Sequence, residues 1–82
     1  MDNEEVFQKI MSIIKPFVRN SEALAAASAA TLLEQDLRIN SARLVDLIIE
    51  LEERFDIQIK NEDADKLRTV GDAIDLVVLA KQ

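Results

Sequence analysis

Asp36-Leu37-Arg38-Ile39-Asn40-Ser41-Ala42-Arg43-Leu44-Val45-Asp46-Leu47-Ile48-Ile49-Glu50-Leu51-Glu52-Glu53-Arg54-Phe55-Asp56 is the stretch on which the fold turns. Leu44, Leu47, Ile48, Leu51 and Phe55 recur at the i, i+3, i+4, i+7 spacing that lines one face of an α-helix, while Asp46, Glu50, Glu53 and Arg54 take the opposite side. The spacing predicts an amphipathic helix with an acidic outer face. Asn40 and Ser41 come just before the periodicity, and either side chain can accept a hydrogen bond from the free N–H groups of a first turn. The helix is therefore expected to begin at Ser41 or one residue earlier. A serine at that place has two readings, a cap that satisfies backbone donors or an attachment point for a phosphate ester at the positive end of the helix dipole. Periodicity does not choose between them.

Downstream, Asp56-Ile57-Gln58-Ile59-Lys60 alternates polar and apolar like a short strand. A lone strand has no partner in this sequence, so the expectation is an extended connection with Ile57 or Ile59 turned inward. Asn61 to Leu67 suits a short, frayed helix. Asn61, Asp63, Asp65 and Asp72 mimic several ligands of a calcium loop, but Lys66 stands where the turn wants Gly and Asp72 where a bidentate Glu belongs, so the calcium reading is weak. Thr69-Val70-Gly71-Asp72 reads as a capping box with Asp in the Glu position. A last helix from Val70 to about Leu79 then buries Val70, Ala73, Ile74, Val77 and Val78.

Upstream, Val6, Phe7, Ile10, Met11, Ile13 and Ile14 predict a first helix from Glu4 to about Lys15, stopped or kinked by Pro16, with Phe17 and Val18 as one further apolar turn. Asn20 and Ser21 can cap a second, short helix. Six alanines between Ala23 and Ala30 favour partial helicity and add little buried area. Leu32, Leu33 and Leu37 are the anchors expected to hold this long connection to the rest. The fold class expected is all-α: a small three-to-four-helix bundle, three helices long and one short, with a long connection between the first and second helices and residues 1–82 as one domain.

The chain has no cysteine and no histidine, one glycine and one proline. Disulfides, thiolate nucleophiles and cysteine-based metal sites are excluded, and acid–base or nucleophilic catalysis near neutral pH is poorly served. The expectation is a protein that is not an enzyme. Its net charge is −6, and residues 34–66 hold ten acidic against five basic side chains. Such a surface repels nucleic acid and attracts basic partners, although acidic helix faces are also commonly just solvated. Met1-Asp2-Asn3-Glu4-Glu5 lacks the basic-then-apolar pattern of a secretory signal, and no apolar run is long enough to span a bilayer. A cytoplasmic monomer is the default expectation.

Leu33, Asp36-Leu37, Ser41, Val45-Asp46-Leu47, Leu51-Glu52-Glu53, Phe55-Asp56, Ile59 and Thr69-Val70 together resemble an acyl carrier protein of the fatty-acid or polyketide type, over about Leu33 to Val77 without a gap. In that family the serine of an Asp-Ser-Leu motif carries 4′-phosphopantetheine, and the matching position is Ser41, flanked by Asn40 and Ala42 where the motif has aspartate and leucine. Arg38 stands where the family usually has glycine. The resemblance implies that a phosphopantetheinyl transferase places the arm on Ser41 and that the arm's thiol holds acyl groups as thioesters. Asp46, Glu50 and Glu53 make one stripe at helical spacing with Glu52 flanking it, and the resemblance implies that Asp46, Glu52 and Glu53 meet basic acyl-handling enzymes, with Arg43 as an added positive charge beside Ser41. It also implies an acyl-chain cleft lined by Val45, Ile48, Ile59 and Leu67, for which an ordinary core is an equally adequate reading. The competing function is an unmodified helical module that keeps the carrier fold and binds a basic partner through the same acidic helix.

Overall fold

The computed structural model describes residues 3–81; Met1 and Asp2 of the acidic start, and Gln82, lie outside the described residues. Helix α1 spans Asn3–Ile14, α2 Ser21–Ala25, α3 Ser41–Phe55, α4 Asn61–Ala64 and α5 Val70–Lys81, and a 3₁₀ turn at Lys15–Phe17 extends α1. Among the described residues there is no strand; the only β-type pairing is a single bridge between Leu32 and Thr69. The expected all-α bundle is present, with three long helices and two short ones rather than one.

The long helices form because each carries one apolar stripe that only the others can cover. Val6, Ile10, Ile13 and Ile14 of α1 meet Leu47, Leu51 and Phe55 of α3 and Val70, Ala73, Ile74 and Val77 of α5 in one buried cluster. Val78, expected inside, is only half-buried. Pro16 ends α1 as expected, sitting in the first turn of the 3₁₀ segment where its missing N–H costs nothing. At the start of α5, Thr69 Oγ1 accepts from the N–H of Asp72 at 3.0 Å and Asp72 Oδ2 accepts from the N–H of Thr69 at 3.0 Å, a reciprocal capping box.

The alanine-rich stretch turns helical only as far as Ala25, capped by Asn20, whose side chain accepts from the N–H groups of Glu22 and Ala23. Helix propensity loses beyond that point because the backbone has other partners. The N–H of Ser28 donates to Thr31 Oγ1 at 2.8 Å, and the carbonyls of Ala29 and Thr31 accept from the N–H groups of Gly71 and Val70 at 2.8 and 3.0 Å. The connection therefore caps α5 with its own backbone. Gly71 permits the approach: a Cβ there would lie 2.9 Å from the carbonyl oxygen of Ala29.

Leu33, Leu37 and Ile39 are buried in the same cluster as the helices, so the segment before Ser41 is pinned. Ile39 is not among the expected anchors, because a single apolar residue between Arg38 and Asn40 has no periodicity to announce it. The N–H groups of Asp36 and Leu37 bond the Leu32 carbonyl at 3.0 and 3.1 Å, while Asp36 Oδ2 accepts from the N–H of Leu32 at 2.8 Å. Arg38 completes the turn in the left-handed region at φ 60°.

Candidate functional site

α3 begins where the chain leaves this pinned turn. Asn40 is extended, and its side chain accepts from the N–H of Arg43 at 2.9 Å. Asn40 is thus the cap, and Ser41 is the first helical residue, exposed, its hydroxyl without a hydrogen-bond partner among the described residues. The N–H groups of Ser41 and Ala42 are likewise unbonded among the described residues. Of the two sequence readings of Ser41, capping is taken by its neighbour. An exposed hydroxyl at the positive end of a fifteen-residue helix, beside free N–H groups, suits a phosphate ester.

Ser41 stands at one edge of an open groove of about 510 Å³ between α3, the 56–60 connection and α4. Val45, Ile48, Ile59 and Leu67, the four residues expected to line a cleft, all line it, together with Leu44 and Ala64. Leu67 is buried, Ile48 and Ile59 are half-buried, and Val45 is 56 % exposed. Glu34 and Arg68 form part of the rim, and no sequence pattern singles them out. The floor is apolar and the rim charged.

The opposite side of α3 is different. Arg43 pairs with Asp46 at 3.1 Å, and its guanidinium lies 4.4 Å from the centre of the Phe17 ring. Further along the helix, Arg54 pairs with Glu50 at 3.5 Å. A second shallow groove of about 430 Å³ runs between these pairs and Ile13, Pro16 and Phe17, and Ile49, 46 % exposed, lies on its border with the first. Glu53 is exposed and forms no ion pair among the described residues. Glu52 does not share this side: it is half-buried, and its Oε2 accepts from the N–H of Ile59 at 2.8 Å. The expected stripe of Asp46, Glu50 and Glu53 is on one side, and Glu52, expected to flank it, is on the other. Sequence spacing carries that signal, since Glu52 lies four residues after Ile48 and seven after Val45. Downstream, Asp72 is engaged by the N–H groups of Arg68 and Thr69, and Asp63 and Asp65 belong to no metal-holding cluster among the described residues.

A family model described as a phosphopantetheine attachment site matches residues 22–77, which takes in the helix start, the groove below it and most of α5. The chain belongs to the acyl carrier proteins. It is 41 % identical over 78 residues to an acyl carrier protein of Rubrobacter xylanophilus, covering 95 % of this chain and 94 % of that one. It is 35 % identical over 79 residues to a mitochondrial acyl carrier protein of Saccharomyces cerevisiae, covering 94 % of this chain; the chain spans only 63 % of that relative's length. The solved acyl carrier protein of Enterococcus faecalis superimposes with a TM-score of 0.79 at 32 % identity, over 98 % of this chain and 99 % of that one. These relatives come from bacteria and from a mitochondrion.

Acyl carrier proteins are carriers rather than catalysts, and their covalent prosthetic group is 4′-phosphopantetheine. The residues at the start of α3 fit such a group on the observation that the serine hydroxyl is exposed and unshared while asparagine does the capping. Arg38, just before the cap, has a φ of 60°, a backbone geometry that glycine adopts without strain. No helix among the described residues is long and apolar enough to cross a membrane.

Proposed function

We propose that Ser41 is the residue on which this chain carries 4′-phosphopantetheine, and that the chain passes acyl groups between the enzymes of a fatty-acid, polyketide or related acyl pathway. The observation that carries this reading is the division of work at the start of α3: Asn40 satisfies the Arg43 N–H and leaves the Ser41 hydroxyl exposed at the edge of an apolar groove. The prosthetic group supplies a thiol, which this cysteine-free chain lacks, to hold the acyl group as a thioester. The chain's own residues orient and shelter. Asn40 fixes the helix start, the free N–H groups of Ser41 and Ala42 favour a negative ester beside them, and Val45, Ile48, Ile59 and Leu67 offer an alkyl chain an apolar bed.

Docking is assigned to the charge on the other side of α3. Asp46, Glu50 and Glu53 face basic partner surfaces, including that of a phosphopantetheinyl transferase, and Arg43 asks such a partner for a carboxylate in return. Incubation with coenzyme A, magnesium and a broad-specificity transferase is expected to raise the intact mass by one arm, and Ser41→Ala is expected to abolish the gain. No gain with several transferases would replace this reading with the unmodified interaction module.

A further inference from the structure

The groove has one wall that is not helical. Asp56 turns the chain into the left-handed region at φ 55°, and the strap 56–60 then runs back along α3 until α4 begins at Asn61. Among the described residues, the hydrogen bonds that tie this strap to α3 all end on Glu52. Its backbone carbonyl accepts from the N–H groups of Asp56 and Ile57, the latter at 3.0 Å, and its carboxylate accepts from the N–H of Ile59 at 2.8 Å. The carbonyl bonds belong to the helix end and any residue makes them; the carboxylate bond belongs to Glu52 alone. It reaches past Ile57, which is buried in the core, to the one strap residue that lines the groove.

We propose that Glu52 is a positioning residue of the acyl groove: its carboxylate pins Ile59 and so sets the depth of the groove and the length of alkyl chain that it shelters. This rests on reading the groove below Ser41 as the acyl site. A charged acceptor on a backbone N–H is among the stronger hydrogen bonds a partly buried site can hold. Ile59 has no side-chain latch of its own, and Lys60, which precedes α4, makes no side-chain cap bond. Without the carboxylate, the wall between Ile57 and Asn61 swings on a free N–H, and the apolar bed loses its fixed edge.

Two measurements test this. In the unmodified chain, amide exchange at Ile59 is expected to speed up by about tenfold or more in Glu52→Ala and to stay near wild type in Glu52→Gln, which keeps an acceptor oxygen in place. For the chain length, Ser41→Cys provides the protein's only thiol, and alkyl methanethiosulfonates of increasing length attach a chain at the groove's edge without any transferase. The melting temperature is expected to rise with alkyl length and then level off at the length the fixed groove holds. Added Glu52→Ala is expected to move or erase that plateau, and added Glu52→Gln to restore it. Asn20→Ala, which removes the cap of α2 far from the groove, lowers the melting temperature but keeps the plateau in place. A plateau that Glu52→Ala leaves where it was, or an Ile59 amide that it leaves protected, overturns the role of Glu52 while the groove stands. A melting temperature indifferent to alkyl length before Glu52 is touched overturns the groove reading itself, and the proposal with it.

Discussion

The two sides of α3 both carry carboxylates and put them to different use. On the groove side, Glu52 turns inward to a backbone N–H and the neighbouring positions Leu44, Val45 and Ile48 are apolar. On the outer side, Asp46 and Glu50 each lean on an arginine of the same helix, and the exposed Ile49 lies between them. A carboxylate that bonds to the backbone shapes the fold, whereas one that pairs with a neighbouring arginine on the surface contributes little to it and stays available to a partner. The difference teaches that charge count alone says nothing about which acid docks and which acid builds.

The sharpest way to break the contrast is to compare packing on the buried and outer faces. Leu51 is fully buried and Ile49 is 46 % exposed, although both are aliphatic and two residues apart. Leu51→Ala is expected to cost about 2–5 kcal/mol, a large share of the stability of a domain of this size. Ile49→Ala should change stability by less than about 0.5 kcal/mol. Denaturant midpoints of the two variants measure both, and a large loss at Ile49 would mean that the outer side is part of the core.

Next in size is the loss of the outer charges. Asp46→Lys with Glu53→Lys is expected to slow transferase or acyltransferase turnover on this carrier by about tenfold at low salt, with the difference shrinking as salt rises, because exposed charges act mainly through association. Helicity should be intact. Unchanged rates and an unchanged salt dependence would make the acidic side a solvated surface and assign docking elsewhere.

Arg43 sharpens the same point from the opposite sign. Its pairing with Asp46 is half-exposed on both partners, at 50 % and 54 % of their side chains, and its stacking on Phe17 ties the start of α3 to the turn after α1. Arg43→Ala is expected to cost about 1 kcal/mol or less of stability. It should also slow association with a partner that offers a carboxylate to Arg43. Stopped-flow association against salt measures this; faster association would show that Arg43 only covers Asp46 and does not meet the partner.

Most of this architecture is legible in the sequence because it rests on periodicity. The stripes of α1, α3 and α5, the stop at Pro16 and the Thr69–Asp72 box are local signals, and each is observed. The four cleft residues could be grouped with Ser41 only through resemblance, since Ile59 and Leu67 meet α3 through a turn that no spacing rule places. Features that depend on long-range backbone partners are not legible. Ala26 to Ala30 leave the helix because Ala29 bonds Gly71 some forty residues away, and Ile39 is buried because the turn at Arg38 points it inward. Resemblance groups Glu52 with the docking acids, although its spacing from Val45 and Ile48 places it on the groove side.

The smallest effect concerns the two flanks of the groove side, each of which has a non-glycine residue in the left-handed region: Arg38 at φ 60° before Ser41 and Asp56 at φ 55° after Phe55. Left-handed geometry costs an ordinary side chain about 1–2 kcal/mol, through the approach of Cβ to the following carbonyl oxygen, while aspartate tolerates it better through local hydrogen bonding. Glycine removes that strain but adds freedom to the unfolded chain, which offsets about 0.4–1 kcal/mol of the gain. Arg38 is exposed and forms no ion pair among the described residues, so little else is lost with its side chain. Arg38→Gly is therefore expected to stabilise the fold by about 0.5 kcal/mol, and Asp56→Gly to leave it unchanged or slightly weaker. Paired denaturation curves on the unmodified chain are precise enough only when both variants and the parent are run together. If Arg38→Gly destabilises instead, the Arg38 side chain is holding the turn that presents Ser41, and the strain at that flank is part of how the helix start is fixed.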